Sequence, residues 1–178
     1  MAQRAGHEQF LKLLEEHKKI LFKIANSYCH GPADREDLVQ EMVMQLWRSF
    51  GRYDARVRFS TWTYRVALNV AISFYRHEAR RPRASLLDEQ AVLEVTNNAD
   101  DVAARQDDLR LLKNFIRQLN ELDRALVLLY LDGNPYDTIA EILGISETNV
   151  GTKIARIKQK LRQMSADHAE GTLSHGTR

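Results

Sequence analysis

Residues 134–158 constrain the fold of this chain more than any other stretch, because they hold two helical patterns separated by one short turn. Pro135 is expected at the opening of the first helix, where its missing N–H costs nothing, with Asn134 as the cap. Gly144 supplies the backbone conformation that the turn needs, and Ser146 is expected to cap the second helix. These features predict a helix-turn-helix, a motif that places its second helix in the major groove of DNA.

The second predicted helix has an apolar side and a cationic side. From Ser146 to Arg162 the chain has five lysines and arginines against one acid, Glu147. Short polar and cationic side chains suit phosphates and base edges, although an ordinary solvated face is the alternative. The apolar stripe, which repeats at four-three-four spacing, consists of Val150, Ile154, Ile157 and Leu161. The residues predicted to contact duplex DNA are Ser146, Thr148, Asn149, Thr152, Lys153 and Arg156.

Helical periodicity runs through almost the whole chain and predicts an all-α protein of two small helical domains joined by an acidic linker. The net charge of +2 hides an uneven distribution, since residues 52–83 have eight basic residues and two acids. Residues 84–108, by contrast, have seven acids and one basic residue. The predicted segments are a first domain over residues 1–81, a flexible linker over 82–104, a domain ending in the helix-turn-helix over 105–163, and a disordered tail over 164–178.

Proline and glycine set the expected helix boundaries of the first domain. Gly31-Pro32 is expected to end a long first helix, after which Asp34 caps the second. Phe59 is expected to open a third helix that runs to about Arg80. Pro82 would stop it, because proline lacks a backbone donor and restricts the residue before it.

Several classes of protein are disfavoured by what the chain lacks. The single cysteine, Cys29, excludes an internal disulfide and a multi-cysteine zinc site, and the histidines show no ligand spacing, so we expect no metal and no cofactor. The sequence has no nucleophile–base arrangement and no pair of carboxylates at a workable spacing, so we do not expect an enzyme. No signal-peptide core or stretch of membrane-spanning length is present, which predicts a cytoplasmic protein without membrane insertion.

The third predicted helix interleaves aromatic rings with arginines and an asparagine. Bases stack on rings, phosphates bind guanidinium groups, and amides contact unstacked base edges, so this pattern predicts binding of single-stranded nucleic acid. A purely structural role is the alternative, and we adopt it for Trp62 and Phe74, which share an apolar side with Val66 and Val70. The residues predicted to bind the strand are Tyr64, Arg65, Asn69, Tyr75 and Arg76.

Two sets of motifs resemble a known family. Residues 34–41, 46–48 and 59–69 resemble the first conserved domain of bacterial sigma factors, in particular the small two-domain extracytoplasmic-function (ECF) group. The run from residue 119 to 125 and onward, with Tyr136, Ile139-Ala140 and Gly144-Ile145-Ser146, resembles the second conserved domain of that group. The resemblance spans roughly residues 8–80 and 105–163.

The resemblance implies a promoter-specificity subunit that binds core RNA polymerase and helps to open promoter DNA. The third helix would hold the non-template strand of the minus-ten element, with Asn69 at a flipped base and Arg76, Arg80 and Arg81 along the backbone. The helix-turn-helix would recognise the minus-thirty-five element as duplex, the acidic linker would thread the polymerase, and an anti-sigma protein would restrain the factor. The residues implied in polymerase binding are Asp37, Gln40, Glu41 and Arg48, for which capping and solvation are the alternative roles.

One departure and one rival interpretation qualify this assignment. The family often has a basic residue where this chain has Gly151, so either DNA approaches the backbone more closely there or the chain relies on Lys153 and Arg156. The rival is a conventional helix-turn-helix regulator with an amino-terminal sensor domain, which would bind duplex DNA without polymerase.

Overall fold

The computed structural model describes residues 2–29, 31–80, 109 and 112–173, and it describes side chains for residues 6–29, 31–77, 109 and 112–166. These residues contain no β-strand, which confirms the all-α prediction. None of the described helices is long and apolar enough to cross a membrane. The helices are α1 (Ala2–Tyr28), α2 (Pro32–Phe50), α3 (Phe59–Arg80), α4 (112–118), α5 (Glu121–Leu131), α6 (Tyr136–Leu143) and α7 (Glu147–Leu173).

The chain divides into two compact units, Met1–Leu93 and Glu94–Arg178. In the first unit, α1, α2 and α3 all pack against one another. Ala67 and Ala71, one turn apart on α3, are fully buried, and their small side chains let the neighbouring helices approach closely. Burial of each large apolar side chain stabilises this core by about 1.5–3 kcal/mol. The largest of these side chains are Leu21, Ile24, Leu38, Met42, Leu46 and Leu68.

The boundary between α1 and α2 corrects a prediction. Gly31, in extended conformation, is the N-cap of α2, and Pro32 is its first residue, because proline's fixed φ suits a first helical turn. Asp34 therefore lies in the first turn instead of capping it, where the helix dipole favours its negative charge. The predicted bounds of α3, Phe59 to Arg80, are confirmed.

In the second unit, α5 is buried along most of its length and packs against α6 and α7. The cap of α6 differs from the prediction, since Pro135 occupies the N-cap position and Tyr136 begins the helix. The Asn134 amide instead donates to the Leu129 carbonyl of α5 at 2.9 Å, which satisfies a carbonyl that the end of α5 leaves free. Asn134 thus belongs to the end of α5 and not to the start of α6.

The carboxyl-terminal part of α7 corrects a second prediction. The helix continues to Leu173, although the sequence predicts a disordered tail from residue 164. Gln163, Met164 and Ala166 all favour helix, and no proline interrupts the segment, so the helix continues past residue 163. Residues 174–178 and the predicted linker over 82–104 lie outside the described residues.

Candidate nucleic-acid interface

The turn between α6 and α7 has the geometry of a helix-turn-helix. Gly144 adopts the left-handed conformation at φ 66° and ψ 36°, and the Ile145 N–H donates to the Ala140 carbonyl at 3.1 Å. The Ser146 hydroxyl accepts a hydrogen bond from the Asn149 N–H at 3.2 Å, which confirms its predicted role as a cap. The turn therefore fixes the direction in which α7 leaves α6.

One side of α7 packs into the second unit and another faces solvent. Val150, Ile154 and Ile157 are buried and Leu161 is half-buried, so the predicted apolar stripe is confirmed over its first three members and is partly exposed at the fourth. At 100° per residue, Thr148, Thr152 and Arg156 follow one another along the opposite side of the helix. These residues form an exposed polar surface, here called the reading face, which consists of Ser146, Thr148, Asn149, Thr152 and Arg156.

Lys153 has a different environment from the reading face. Its ammonium group lies 3.0 Å from the Asp123 carboxylate of α5, and the two side chains are only 28% and 19% exposed. Lys158, further along α7, donates to the Tyr130 hydroxyl at 2.6 Å and lies 4.4 Å from the centre of that ring. Both lysines therefore contact α5, whereas Arg156 points away from it.

In the first unit, Asn69 is exposed on α3 and lines a groove between α2 and α3. The groove has a volume of about 550 Å³ and contains apolar side chains from Val66, Val70 and Phe74. Glu41 of α2 lines the same groove, so a residue predicted to bind DNA and one predicted to bind polymerase share one surface. This cavity is called the α2–α3 groove below.

The other predicted strand-binding residues differ in their exposure. Tyr64 is only 6% exposed and lies on the same side of α3 as buried Ala67 and Leu68, so its ring is not available to a base. That placement corrects the prediction for Tyr64, which is a core residue. Arg65 and Tyr75 are half-buried and Arg76 is exposed, while the Arg80 side chain and Arg81 lie outside the described part of the chain.

The exposed side of α2 carries the residues predicted to bind polymerase. Asp37, Gln40 and Arg48 are exposed, and Glu41 is half-buried. Between them lie Met44 and Trp47, which are 44% and 45% exposed and which the sequence analysis missed. Met44 follows Gln40 and Glu41 by four and three residues, and Trp47 follows Met44 by three, which is a helical spacing that could have identified both. This surface is called the docking stripe and consists of Asp37, Gln40, Glu41, Met44, Trp47 and Arg48.

The loop between α2 and α3 is ordered by local contacts. The Arg56 guanidinium donates to both carboxylate oxygens of Asp54, and this side-chain hydrogen bond lowers the pKa of Asp54. The Tyr53 hydroxyl donates to the Val57 carbonyl at 2.7 Å, and its ring lies 5.0 Å from that of Trp62. Trp62 is thus packed in an aromatic cluster, in agreement with its expected structural role.

Comparison with known proteins assigns both units. Residues 13–81 match the family described as Sigma-70 region 2, and residues 109–161 match Sigma-70, region 4. The ECF RNA polymerase sigma-E factor of Haemophilus influenzae is 30% identical over 137 residues, which cover 72% of each chain. The chain belongs to the ECF sigma factors.

Other relatives of this sigma factor cover still more of its length. The ECF sigma factor SigM of Mycobacterium tuberculosis is 27% identical over 157 residues, which cover 87% of this chain and 76% of SigM. The sigma factor RpoE of Bartonella quintana, solved in complex with the anti-sigma factor NepR, has the same fold, with a TM-score of 0.72 at 19% identity. That match covers 89% of this chain and 98% of RpoE.

The family regions coincide with the surfaces described above. Region 2 of this sigma factor contains the docking stripe and the α2–α3 groove, and region 4 contains the reading face. Because the amino-terminal half matches region 2, the rival interpretation of a conventional regulator with an amino-terminal sensor domain is not favoured.

Proposed function

We propose that this ECF sigma factor docks on core RNA polymerase through the docking stripe, binds the opened minus-ten strand at the α2–α3 groove, and recognises the minus-thirty-five duplex with the reading face. One observation supports this proposal above the others. Asn69 is exposed at a groove that also contains Glu41, so a bound strand and a bound polymerase would meet on one side of the first unit.

The docking stripe has the composition of a protein interface. Met44 and Trp47 expose large apolar surfaces within a polar surround, and tryptophan is among the residues that contribute most to binding energy. Asp37 and Arg48 at opposite ends of the stripe supply charges of opposite sign, which would fix the orientation of the partner. The Trp47 ring is itself held by Phe10 of α1 at 5.1 Å.

The α2–α3 groove suits a base that has left the stack. Phe74, expected from the sequence to be purely structural, is half-buried and lines the groove, so we revise its role: it and the neighbouring valines would offer apolar surface to the face of a base. The Asn69 amide offers both a donor and an acceptor to the edge of that base. Exposed Arg76, two turns along α3, would bind the phosphate backbone beside it. By sequence position, Arg80 and Arg81 would extend that contact.

The reading face suits duplex DNA. Its hydroxyl and amide groups are short, so the helix can lie deep in the major groove while Arg156 reaches a base edge or a phosphate. In this arrangement the amino-terminal end of α7, which Ser146 caps, would lie near the DNA backbone, where the positive end of the helix dipole favours phosphate.

Regulation and location follow from the same assignment. We propose that an anti-sigma protein restrains this factor, as the solved complex of its structural relative with NepR suggests. The factor would act in the cytoplasm, where polymerase and promoter meet. It would have no catalytic activity of its own.

Replacing Asn69 with alanine tests the central assignment. The variant removes the amide but leaves the docking stripe intact, so promoter opening should fall by roughly five- to 150-fold, which corresponds to the 1–3 kcal/mol typical of a specific base contact. Binding to core polymerase should stay at the wild-type level. Opening is measured by permanganate reactivity of the minus-ten thymines, and core binding by fluorescence anisotropy.

The matched control is Asn114→Ala, which removes an exposed amide from α4 in the other unit. Wild-type opening by the Asn69 variant would exclude Asn69 from the strand-binding surface. Equal loss of core binding and opening would instead assign Asn69 to the polymerase interface.

A further inference from the structure

Lys153 is a cation on α7 that the structure separates from the DNA-facing surface. Arg156, Lys160 and Arg162 are exposed, whereas the Lys153 ammonium is half-buried against the Asp123 carboxylate at 3.0 Å. A partly desolvated ion pair is screened less by salt than a surface pair, and removal of either partner leaves an uncompensated charge. The position of Lys153 therefore depends on Asp123.

Asp123 is itself held in place at the start of α5. Its backbone N–H donates to the Asn120 side-chain oxygen at 2.8 Å, and the Asn120 amide donates back to its carboxylate at 2.9 Å. This reciprocal cap fixes the position of the Asp123 carboxylate independently of Lys153, and the helix dipole favours the negative charge there. Lys153 consequently connects α7 to a rigid point of α5.

A second contact holds α7 at the other end of α5. Lys158 donates to the Tyr130 hydroxyl at 2.6 Å, and Tyr130 lies seven residues after Asp123, about 10 Å further along the helix. Two contacts separated along α5 restrict rotation of α7 about its axis more than either would alone. Rotation of α7 is the movement that would displace the reading face from the base edges.

We propose that Lys153 is a positioning residue for duplex recognition: it holds the reading face in register through Asp123 and does not neutralise a DNA phosphate. This inference rests on the proposed function of α7. Moving Lys153 to a phosphate would leave the Asp123 carboxylate without its cation and close to the negative backbone, so the pair is retained in the complex. Arg156, in contrast, is free to contact DNA.

The first test measures hydrogen exchange of the full-length chain without DNA. Lys153→Met and Asp123→Asn should each accelerate exchange of α5 and α7 amides several-fold, and the double variant should exchange no faster than the faster single variant. Lys153→Arg, which can still pair with Asp123, should restore protection. Lys160→Met, which removes an exposed lysine of the same helix, is the control and should exchange like wild type. Effects that multiply in the double variant would overturn the proposal.

The second test measures promoter binding by the polymerase holoenzyme at several salt concentrations. Lys153→Met should lower discrimination between the promoter and a duplex with an altered upstream element several-fold, and leave the slope of log affinity against log salt unchanged. A lost phosphate contact would reduce that slope by about 1. Such a reduction for Lys153→Met would overturn the proposal. Absence of upstream-element discrimination by wild-type holoenzyme would refute the proposed function of α7 but not the exchange result.

Discussion

At the scale of single residues, Gly151 lies in the predicted DNA-binding motif but faces another helix of the protein. The family resemblance leads us to expect a basic residue at this position, so the glycine suggests a gap in the predicted DNA-contacting surface. In the structure Gly151 is half-buried, and a Cβ added to it would lie 3.6 Å from the Tyr136 ring of α6, at ordinary contact distance. Gly151 therefore faces α6 at the edge of α7 and leaves the reading face complete.

Gly151→Ala should stabilise the second unit by about 0.5–1 kcal/mol, since alanine is the better helix former and the Tyr136 ring can accept its methyl group. The effect is measured as a shift in the midpoint of urea unfolding, with hydrogen exchange of the α7 amides as the probe of unfolding. Ala155→Gly, at an exposed site one turn later, is the reverse control and should lose a similar amount. Weaker promoter binding by Gly151→Ala would mean that DNA approaches the glycine backbone.

At the scale of helices, Arg124 connects α4 to α5. Its side chain is 3% exposed, and its guanidinium donates to the carbonyls of Ile116, Arg117 and Leu119 at 3.2, 2.7 and 3.1 Å. The last carbonyls of a helix have no partner within it, so the Arg124 guanidinium supplies donors at the end of α4, where the Ile116 carbonyl also accepts from the Leu119 N–H at 3.2 Å. These carbonyls stabilise the charge of the buried arginine.

Arg124→Met keeps the length of the side chain but removes its donors, and it should destabilise the second unit by about 2–3 kcal/mol, because buried carbonyls then lose charged partners. Chemical unfolding monitored in the second unit measures the loss. Arg117→Met, an exposed arginine on α4, is the matched control and should change stability by less than about 0.5 kcal/mol. A change as small for Arg124→Met would show that water replaces the guanidinium at these carbonyls.

The sequence predicts most helices and misses the contacts between them. Apolar periodicity identifies the stripe from Val150 to Ile157, because spacing alone determines which side of a helix is buried. It does not distinguish Tyr64 in the core from an exposed ring, nor Lys153 in an ion pair from a free cation. These outcomes depend on which residue of another helix lies opposite, and no local pattern encodes that.

At the scale of the whole molecule, each of the two units contains its own core and its own proposed DNA-binding surface. Leu68 and Met42 belong to the core of the first, while Leu126 and Ile139 belong to that of the second. Each unit would contribute only part of the affinity for a promoter. A covalent link makes the second binding event intramolecular, and this can raise the overall affinity by about 10²–10⁴ without any new contact.

Cutting the chain between the units should therefore weaken promoter-specific initiation even though both units stay folded. A site for a sequence-specific protease placed within residues 82–104 allows the same preparation to be assayed by run-off transcription before and after cleavage. We expect cleavage to raise the concentration needed for half-maximal initiation by about 10²-fold or more, because the effective concentration of region 4 beside its element is lost.

An uncut variant in which a glycine-serine segment of equal length replaces the linker separates the two possible contributions of this segment. Near-wild-type initiation by that variant assigns the linker to tethering, whereas a loss as large as that from cleavage assigns it to its acidic side chains. Unchanged initiation after cleavage would show that region 4 is held at the promoter by polymerase alone.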